Sequence, residues 1–423
     1  MNKKALFVST LIVVIFLIGL VSQNKTIFLM TIPFLIYMGV AVYLSPDELK
    51  INCVREINSI RNSPNRPITV DAFLENHGES VPRIRVIEDI LPKMQVIDGT
   101  VDQDFSLSAN SKIELRYTFQ APRGQYSWQE MKIAASDPFG LIQQTLRIPN
   151  AITTLVLPEC GNIKKFKLKL HNTIHTPGPN LSRLPGSGID FWGVREYRPG
   201  DSLRLVDWRR TARNPHHFFS KEYEREEMAD IGLLLDARSM TNLISGNHKL
   251  FEYSVQATAT LAKYFLSIGN RVSLLSLGAQ IVRVFPGYGK KQLVKILDKL
   301  ALCQPAEKIS ADILRYLPVR LFPSHSMIIL VSPLSPNDLE TIQRFRSEGY
   351  QVLVVSPDPV QFIVHQHSKG SISPYAIRAT KMERTLLFWK LRQMGVKIII
   401  WDVENPLEKT LHSMNGQTRR KLG

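Results

Sequence analysis

Hydrophobic positions follow three successive rhythms along this chain. Ala5 to Val21 carries no charge, a polar turn follows at Ser22 to Thr26, and a second uncharged run extends from Ile27 to Leu44. Each run is near the lower end of the roughly 17 to 25 residues that a spanning helix needs, and so short a turn joins them only as a hairpin. Residues 1–46 therefore read as a transmembrane hairpin. A cleaved signal peptide would share the Lys3-Lys4 start, but no small-x-small site follows Val21 and a second apolar run comes at once.

From residue 51 to 159 the period becomes two. Ile113, Leu115, Tyr117 and Phe119 line one side of a strand, with further strands expected at Ile68 to Phe73, Arg83 to Ile87, Tyr126 to Ile133 and Leu141 to Ile148. Turns fall at Asn76-His77-Gly78, Pro122-Arg123-Gly124 and Asp137-Pro138-Phe139-Gly140. Short strands at this spacing predict an all-β, immunoglobulin-like sandwich, and nothing in it has catalytic spacing. Residues 160–187, basic at first and then rich in Pro, Gly, Ser and Asn, read as a mobile linker.

The third rhythm, over residues 231–415, alternates apolar strands with amphipathic helices. Strands are expected at Ile231 to Leu235, Arg271 to Leu277, Ile281 to Phe285, Met327 to Val331, Gln351 to Val355 and Val396 to Trp401. Helices fall at Leu250 to Ile268, Lys290 to Leu300, Pro336 to Glu348 and Tyr375 to Gln393, the first with Phe251, Val255, Ala262 and Leu266 on one stripe. This pattern predicts a mostly parallel, Rossmann-like α/β sheet covered on both faces. Ligands of such sheets sit at the carboxyl ends of strands, which directs attention to Asp236, Ser332 and Asp402.

Composition adds three constraints. A length of 423 residues implies two or three domains, and 44% hydrophobic with 21% charged residues excludes wholesale disorder and a polytopic transporter. Three unclustered cysteines, Cys53, Cys160 and Cys303, signal neither a disulfide framework nor a zinc site and fit a reducing compartment. The formal charge of +16 predicts attraction to something acidic: a phospholipid surface, nucleic acid or an acidic protein. Lys3, Lys4, Lys50, Arg55 and Arg61 flank the hairpin ends against Lys25 in its loop, which by the positive-inside rule predicts a multi-pass inner-membrane protein whose soluble domains face the cytoplasm.

The densest string lies in residues 188–230. It contains Gly188-x-Asp190-Phe191, then Arg195-x-Tyr197-x-Pro199-Gly200-Asp201, then Asp207-Trp208 and Thr211-Ala212-Arg213. It resembles the bacterial family known as domain of unknown function 58, and Asp137-Pro138-Phe139-Gly140-Leu141 resembles a segment such proteins carry upstream. The resemblance implies a membrane-anchored protein with a sandwich and a von Willebrand factor A-like domain, associated with MoxR-type AAA+ ATPases. No enzymatic activity comes with the resemblance, and no cofactor is expected.

Read from its residues alone, the string permits three roles. Asp201 and Asp207 can pair with Arg195, Arg204 or Arg213 around Trp208 as a salt-bridged clasp. Arg195, Tyr197, Arg204, Asp207, Trp208 and Arg213 can instead form a docking surface. Asp190, Asp201 and Asp207 could in principle build a hydrolytic or nuclease site.

A von Willebrand A domain holds Mg²⁺ through Asp-x-Ser-x-Ser after its first strand, with oxygen ligands from two further loops. Here the first strand runs into Asp236-Ala237-Arg238-Ser239-Met240, so the metal site around Asp236 and Ser239 reads as degenerate. Asp236 is expected to pair with Arg238 or to cap a helix, and Asp338 lies too far along the chain to be an obvious substitute. His216 and His217 are poor joint ligands if they alternate along a strand, and His365 and His367 share a face only if their segment is extended. Neither a phosphate loop nor a nucleophile elbow is present, and 416–423 is a basic tail. The leading expectation is a non-enzymatic, membrane-anchored adaptor for a protein partner. The alternatives are a nucleic-acid or anionic-lipid binding module, with nucleic acid disfavoured, and a divalent-metal-dependent enzyme or adhesion domain.

Overall fold

The computed structural model describes residues 3–45, 49–163, 166, 180–214, 216–227, 229–241, 243–246, 248–306, 322–324, 326–366 and 373–412. They fall into two units, Met1–Leu157 and Pro158–Gly423.

The first unit begins with helices α1 (Lys3–Ser22), α2 (Lys25–Leu29) and α3 (Thr31–Tyr43). Two stretches, Lys4–Ser22 and Lys25–Tyr43, have mean hydropathies of 2.8 and 1.9 and are long and apolar enough to cross a membrane. The turn is only Gln23 and Asn24, with Gln23 left-handed at φ 51° and the Asn24 side chain accepting from the Thr26 N–H. The second stretch is interrupted at Met30 because Pro33 offers no N–H and its ring crowds the carbonyl four residues back.

Nine strands follow: β1 (Ile51–Ile57), β2 (Arg61–Asn62), β3 (Ile68–Asn76), β4 (Val81–Ile87), β5 (Gln95–Asp98), β6 (Asp102–Leu107), β7 (Lys112–Gln120), β8 (Gly124–Ser136) and β9 (Gln143–Val156). They form two sheets, β1-β3-β7-β5 and β2-β9-β8-β4-β6. Alternate residues of both sheets share one interior: Val70, Tyr117 and Phe119 meet Tyr126, Trp128 and Val156, while Leu74 and Leu115 meet Ile84, Met131 and Ile133. Arg55, counted above among the orientation-setting cations, is in fact buried and paired with Glu88 at 2.8 Å. The Asp137 carboxylate, fully buried, accepts from the N–H groups of Phe139 and Ile142 and shapes the turn that sets Phe139 4.7 Å from the Tyr37 ring.

The second unit opens with an antiparallel pair, β10 (Asn180–Glu196) and β11 (Phe219–Glu227), connected through a 3-10 turn at Leu203–Leu205 and α4 (Trp208–Thr211). Next come β12 (Asp230–Asp236), the short pair β13 (Ile244–Ser245) and β14 (His248–Lys249), α5 (Leu250–Ser267), β15 (Arg271–Leu277), β16 (Ile281–Gly287) and α6 (Gly289–Leu302). The chain closes with β17 (Met327–Val331), α7 (Asp338–Ser347), β18 (Gln351–Pro357), α8 (Pro359–Gln366), α9 (Pro374–Gln393) and β19 (Lys397–Trp401). Strands 12 and 15 to 19 form a six-stranded sheet in the order β16-β15-β12-β17-β18-β19.

Period-two alternation explains why this sheet is covered on both sides. Ile231, Leu233 and Leu235 of β12, with Ile329 and Val331 of β17, face a core built with α5, α6 and α8. The intervening Leu234, Ile328 and Leu330 face a second core built with α7 and α9. Gly232 is required by close approach, since a Cβ there would stand 2.5 Å from the Phe322 ring.

The sheet is parallel except at its edge, where β16 runs antiparallel to β15. Only Gly278, Ala279 and Gln280 join those strands, and a parallel neighbour would need a crossover of a dozen residues or more. The stretch 160–187 is not a linker throughout: Ile163 and Phe166 are buried in the α5 core, the Phe166 N–H donates to the Tyr264 hydroxyl at 3.0 Å, and β10 begins at Asn180. His365 lies on helix α8 rather than on an extended segment, while His367 and the tail 416–423 lie outside the described residues.

Candidate functional site

The densest string of the sequence becomes a hairpin whose connection is held by one arginine. Arg195, near the end of β10, donates to both oxygens of Asp201, at 2.7 and 2.8 Å, and through Nε to Glu222 of β11 at 2.9 Å. Gly200, with φ 105°, takes the turn conformation that side-chain-bearing residues avoid. Within this turn the Arg198 N–H donates to the Asp201 carboxylate and the Tyr197 hydroxyl to its carbonyl. Hydrogen bonds from Arg195 and from the Arg198 backbone hold the Asp201 carboxyl down at about 2, against an ordinary value of 3.8.

Beyond Asp201 the side chains turn outward. Asp207 caps α4, its carboxylate accepting from the Arg210 N–H at 3.1 Å, and the Thr211 hydroxyl accepts from the Phe219 N–H. Trp208, the next residue, is 62% exposed. Arg204, Arg209, Arg210 and Arg213 are exposed too, as are Phe191, Trp192, Leu203 and Phe218.

A second assembly sits at the carboxyl ends of β12 and β17. The Arg238 guanidinium, with no exposed surface, donates to both Asp236 oxygens at 2.8 and 2.7 Å and to both Asp338 oxygens at 2.9 Å. Two carboxylates against one guanidinium leave an excess negative charge. It is offset by donors: the Ser332 hydroxyl and the Arg238 N–H to Asp236, and the Ser335 N–H to Asp338. Burial works against the charged guanidinium, but the hydrogen bonds and charges of the two aspartates outweigh it and hold its pKa above the ordinary arginine value. Chemically this is a cation site whose cation is a side chain.

The structure thus divides the residues singled out by sequence. Arg195, Tyr197 and Asp201 form a clasp, while Arg204, Trp208 and Arg213 stand outside it and Asp207 is a helix cap. Asp190 belongs to β10, and its side chain lies outside the described residues. Asp201 is held by Arg195 and Asp207 accepts from the Arg210 N–H. Asp236 pairs with Arg238, Ser239 is exposed, and the Ser332 hydroxyl donates to Asp236. Asp402 caps a local turn through Asn405 and Glu404. His216 and His217 lie in the turn before β11 rather than along a strand.

Of the members of these networks, the sequence reading set Asp338 aside and did not single out Glu222. Asp338 is seven residues beyond the end of β17, yet the turn through Leu334, left-handed at φ 63°, returns it to the strand ends. Glu222 is one of several acids on an alternating strand, and only the register Gly193↔Glu222 singles it out.

Residues 193–360 match the family model described as Protein of unknown function DUF58. The matched segment runs from the end of β10 to the start of α8 and takes in both arginine networks. Among curated proteins, the uncharacterized protein YeaD of Bacillus subtilis is 27% identical over 236 residues, 53% of this chain and 56% of that protein. The uncharacterized protein Rv1480 of Mycobacterium tuberculosis is 28% identical over 136 residues, 32% of this chain and 42% of that protein. The chain therefore spans about half the length of the relatives it matches. Solved structures with some likeness include the CARDB domain of the PF1109 protein from Pyrococcus furiosus, 12% identical over 27% of this chain and 92% of that one, with a TM-score of 0.19. Proximal thread matrix protein 1 of the mussel byssus is 14% identical over 34% of this chain and 41% of that one, with a TM-score of 0.24. Likenesses at that level carry no functional argument.

Proposed function

We propose that this chain is a non-enzymatic, membrane-anchored adaptor of the domain of unknown function 58 family, which captures a protein partner on the face formed by Leu203, Arg204, Trp208 and Arg213. The observation that carries the reading is the exposed Trp208 among arginines, on a connection that the Arg195 clasp holds in one shape. The two apolar helices tether it, and Lys4 and Lys50 at the hairpin ends favour a cytoplasmic orientation of the soluble domains. The six-stranded sheet with one antiparallel edge is read as a von Willebrand factor A-like domain whose cation position is taken by Arg238. The family resemblance suggests a MoxR-type AAA+ ATPase as partner, and the basic face suits an acidic surface on it.

The test is affinity capture of the detergent-solubilised full chain from its own cells at moderate salt, with mass spectrometry of retained proteins. Wild type is expected to enrich a MoxR-type ATPase. Trp208→Ala and the double variant Arg204→Ala/Arg213→Ala are expected to lose it by tenfold or more, on the order of a hot-spot truncation, with unchanged melting because all three side chains are exposed. Unchanged capture by the variants overturns the proposal. Retention only of nucleic acid that added salt removes favours the electrostatic reading instead.

A further inference from the structure

Helix α9 has two apolar faces, and among the described residues only one is packed against the core. Leu387, Phe388 and Leu391 are buried in the core between α7 and the sheet. On the opposite side Tyr375, Met382, Leu386 and Trp389 are 85, 64, 54 and 55% exposed. Their spacings of seven, four and three residues put them in one stripe, with exposed Ala379 between them. Arg378, Lys381 and Arg392 border one edge of the stripe and Lys390 the other, all exposed, while Glu383 is the one acid on the helix. The stripe extends about 21 Å at the helical rise.

We infer that this outer face of α9 binds an anionic phospholipid surface, with Tyr375, Met382, Leu386 and Trp389 in the headgroup boundary and the flanking cations on lipid phosphates. A core helix needs no second apolar face, and Leu, Met, Tyr and Trp bordered by Lys and Arg is the composition of helices that lie in a membrane interface. Aromatic groups are favoured at headgroup depth, and each cation near an anionic surface adds attraction. The net charge of +16 acts in the same direction. The N-terminal helices supply the remaining argument, since a chain tethered to a bilayer meets that surface at high effective concentration. The inference concerns a different surface from the Trp208 face and stands without the adaptor reading.

Trp389 is its own reporter. The full chain is reconstituted in bilayer discs of phosphatidylcholine, alone or mixed with phosphatidylglycerol, whose acyl chains carry bromine near the headgroup and quench indole on contact. The chain has five tryptophans, so the Trp389 component is taken as wild type minus Trp389→Phe, a substitution at an exposed position that leaves the fold intact. Strong quenching of that component is expected in anionic discs. The triple variant Arg378→Gln/Lys381→Gln/Arg392→Gln is expected to cut the bound fraction, at about fivefold in partitioning per cation removed. Equal quenching of wild type and Trp389→Phe overturns the inference, as does a Trp389 component equally quenched in both lipids. A Trp389 component shielded from aqueous acrylamide yet untouched by brominated lipid also overturns it, because the stripe is then covered by protein, from this chain or a second copy.

Discussion

Arg195 and Arg238 each bridge two carboxylates, and both do so with short bidentate contacts, yet their surroundings differ. Arg238, Asp236 and Asp338 are at most 2% exposed, whereas Arg195, Asp201 and Glu222 retain 33, 18 and 23%. Similar guanidinium–carboxylate chemistry therefore has different consequences. In the interior, each charge has lost its water and depends on its partners; at the surface, solvent screens the pair and the contact serves mainly to orient. The buried network locks β12 to the turn after β17, and the exposed one fixes the shape of a connection that carries the outward-facing Trp208.

The sharpest way to break this comparison is to remove Arg238. Arg238→Met leaves two buried aspartates without their cation, and a loss of about 3–5 kcal/mol is expected in denaturant unfolding of the full chain in detergent. Converting Asp236 and Asp338 to Asn in the same background should recover most of it, because the cost lies in the uncompensated charge and not in the missing contact. Arg238→Lys should fall between, keeping the charge but unable to make the four-bond fork. If Arg238→Met is as stable as wild type, the buried network has no structural weight and the contrast with Arg195 collapses.

A smaller effect follows from reading the guanidinium as a resident cation. Adding Mn²⁺ should leave the wild-type melting temperature where it is, since Arg238 already satisfies the carboxylates. In Arg238→Ser the same ion should restore part of the lost stability, because Asp236, Ser332 and Asp338 then offer oxygen donors around an open position. Stabilisation of wild type by Mn²⁺ would show that the guanidinium leaves room for a metal. No recovery in Arg238→Ser would show that the donors cannot rearrange into a coordination shell.

How much of this was legible in the sequence differs between the two networks. Strands such as Arg271 to Leu277 and Met327 to Val331 carry their own signal, because buried parallel strands are apolar on both faces, and their expected bounds match β15 and β17. Arg238, in place of the first expected serine, was readable as a cation beside Asp236. Asp338 was not, because spacing along the chain says nothing about a turn that doubles back. For the exposed network the difficulty is of another kind: alternating Arg and Asp around aromatics read equally as clasp or as docking surface. The structure puts Arg195 and Asp201 in the clasp and leaves Arg204, Trp208 and Arg213 exposed outside it, a division set by the β10 to β11 register rather than by composition. The apolar stripe on α9 was hidden for a related reason, since the sequence shows apolar residues all round that helix and only burial separates the two faces.

The smallest effect concerns Asp201. Its carboxyl is held at about 2 in the folded chain, below the ordinary 3.8, so between those values the unfolded chain binds more protons than the folded one. The stabilisation is thus fully present above pH ~4 and disappears as pH falls through about 2, with an amplitude limited by solvent screening. Carbon-detected NMR of aspartate-labelled protein should place the Asp201 midpoint at about 2. Arg195→Gln should raise it toward 3.8 while barely moving the melting temperature at neutral pH. A midpoint that stays at about 2 in Arg195→Gln would assign the effect to the Arg198 backbone alone. A large loss of stability at neutral pH would instead place Arg195 in the same class as Arg238, and exposure would no longer be what separates them.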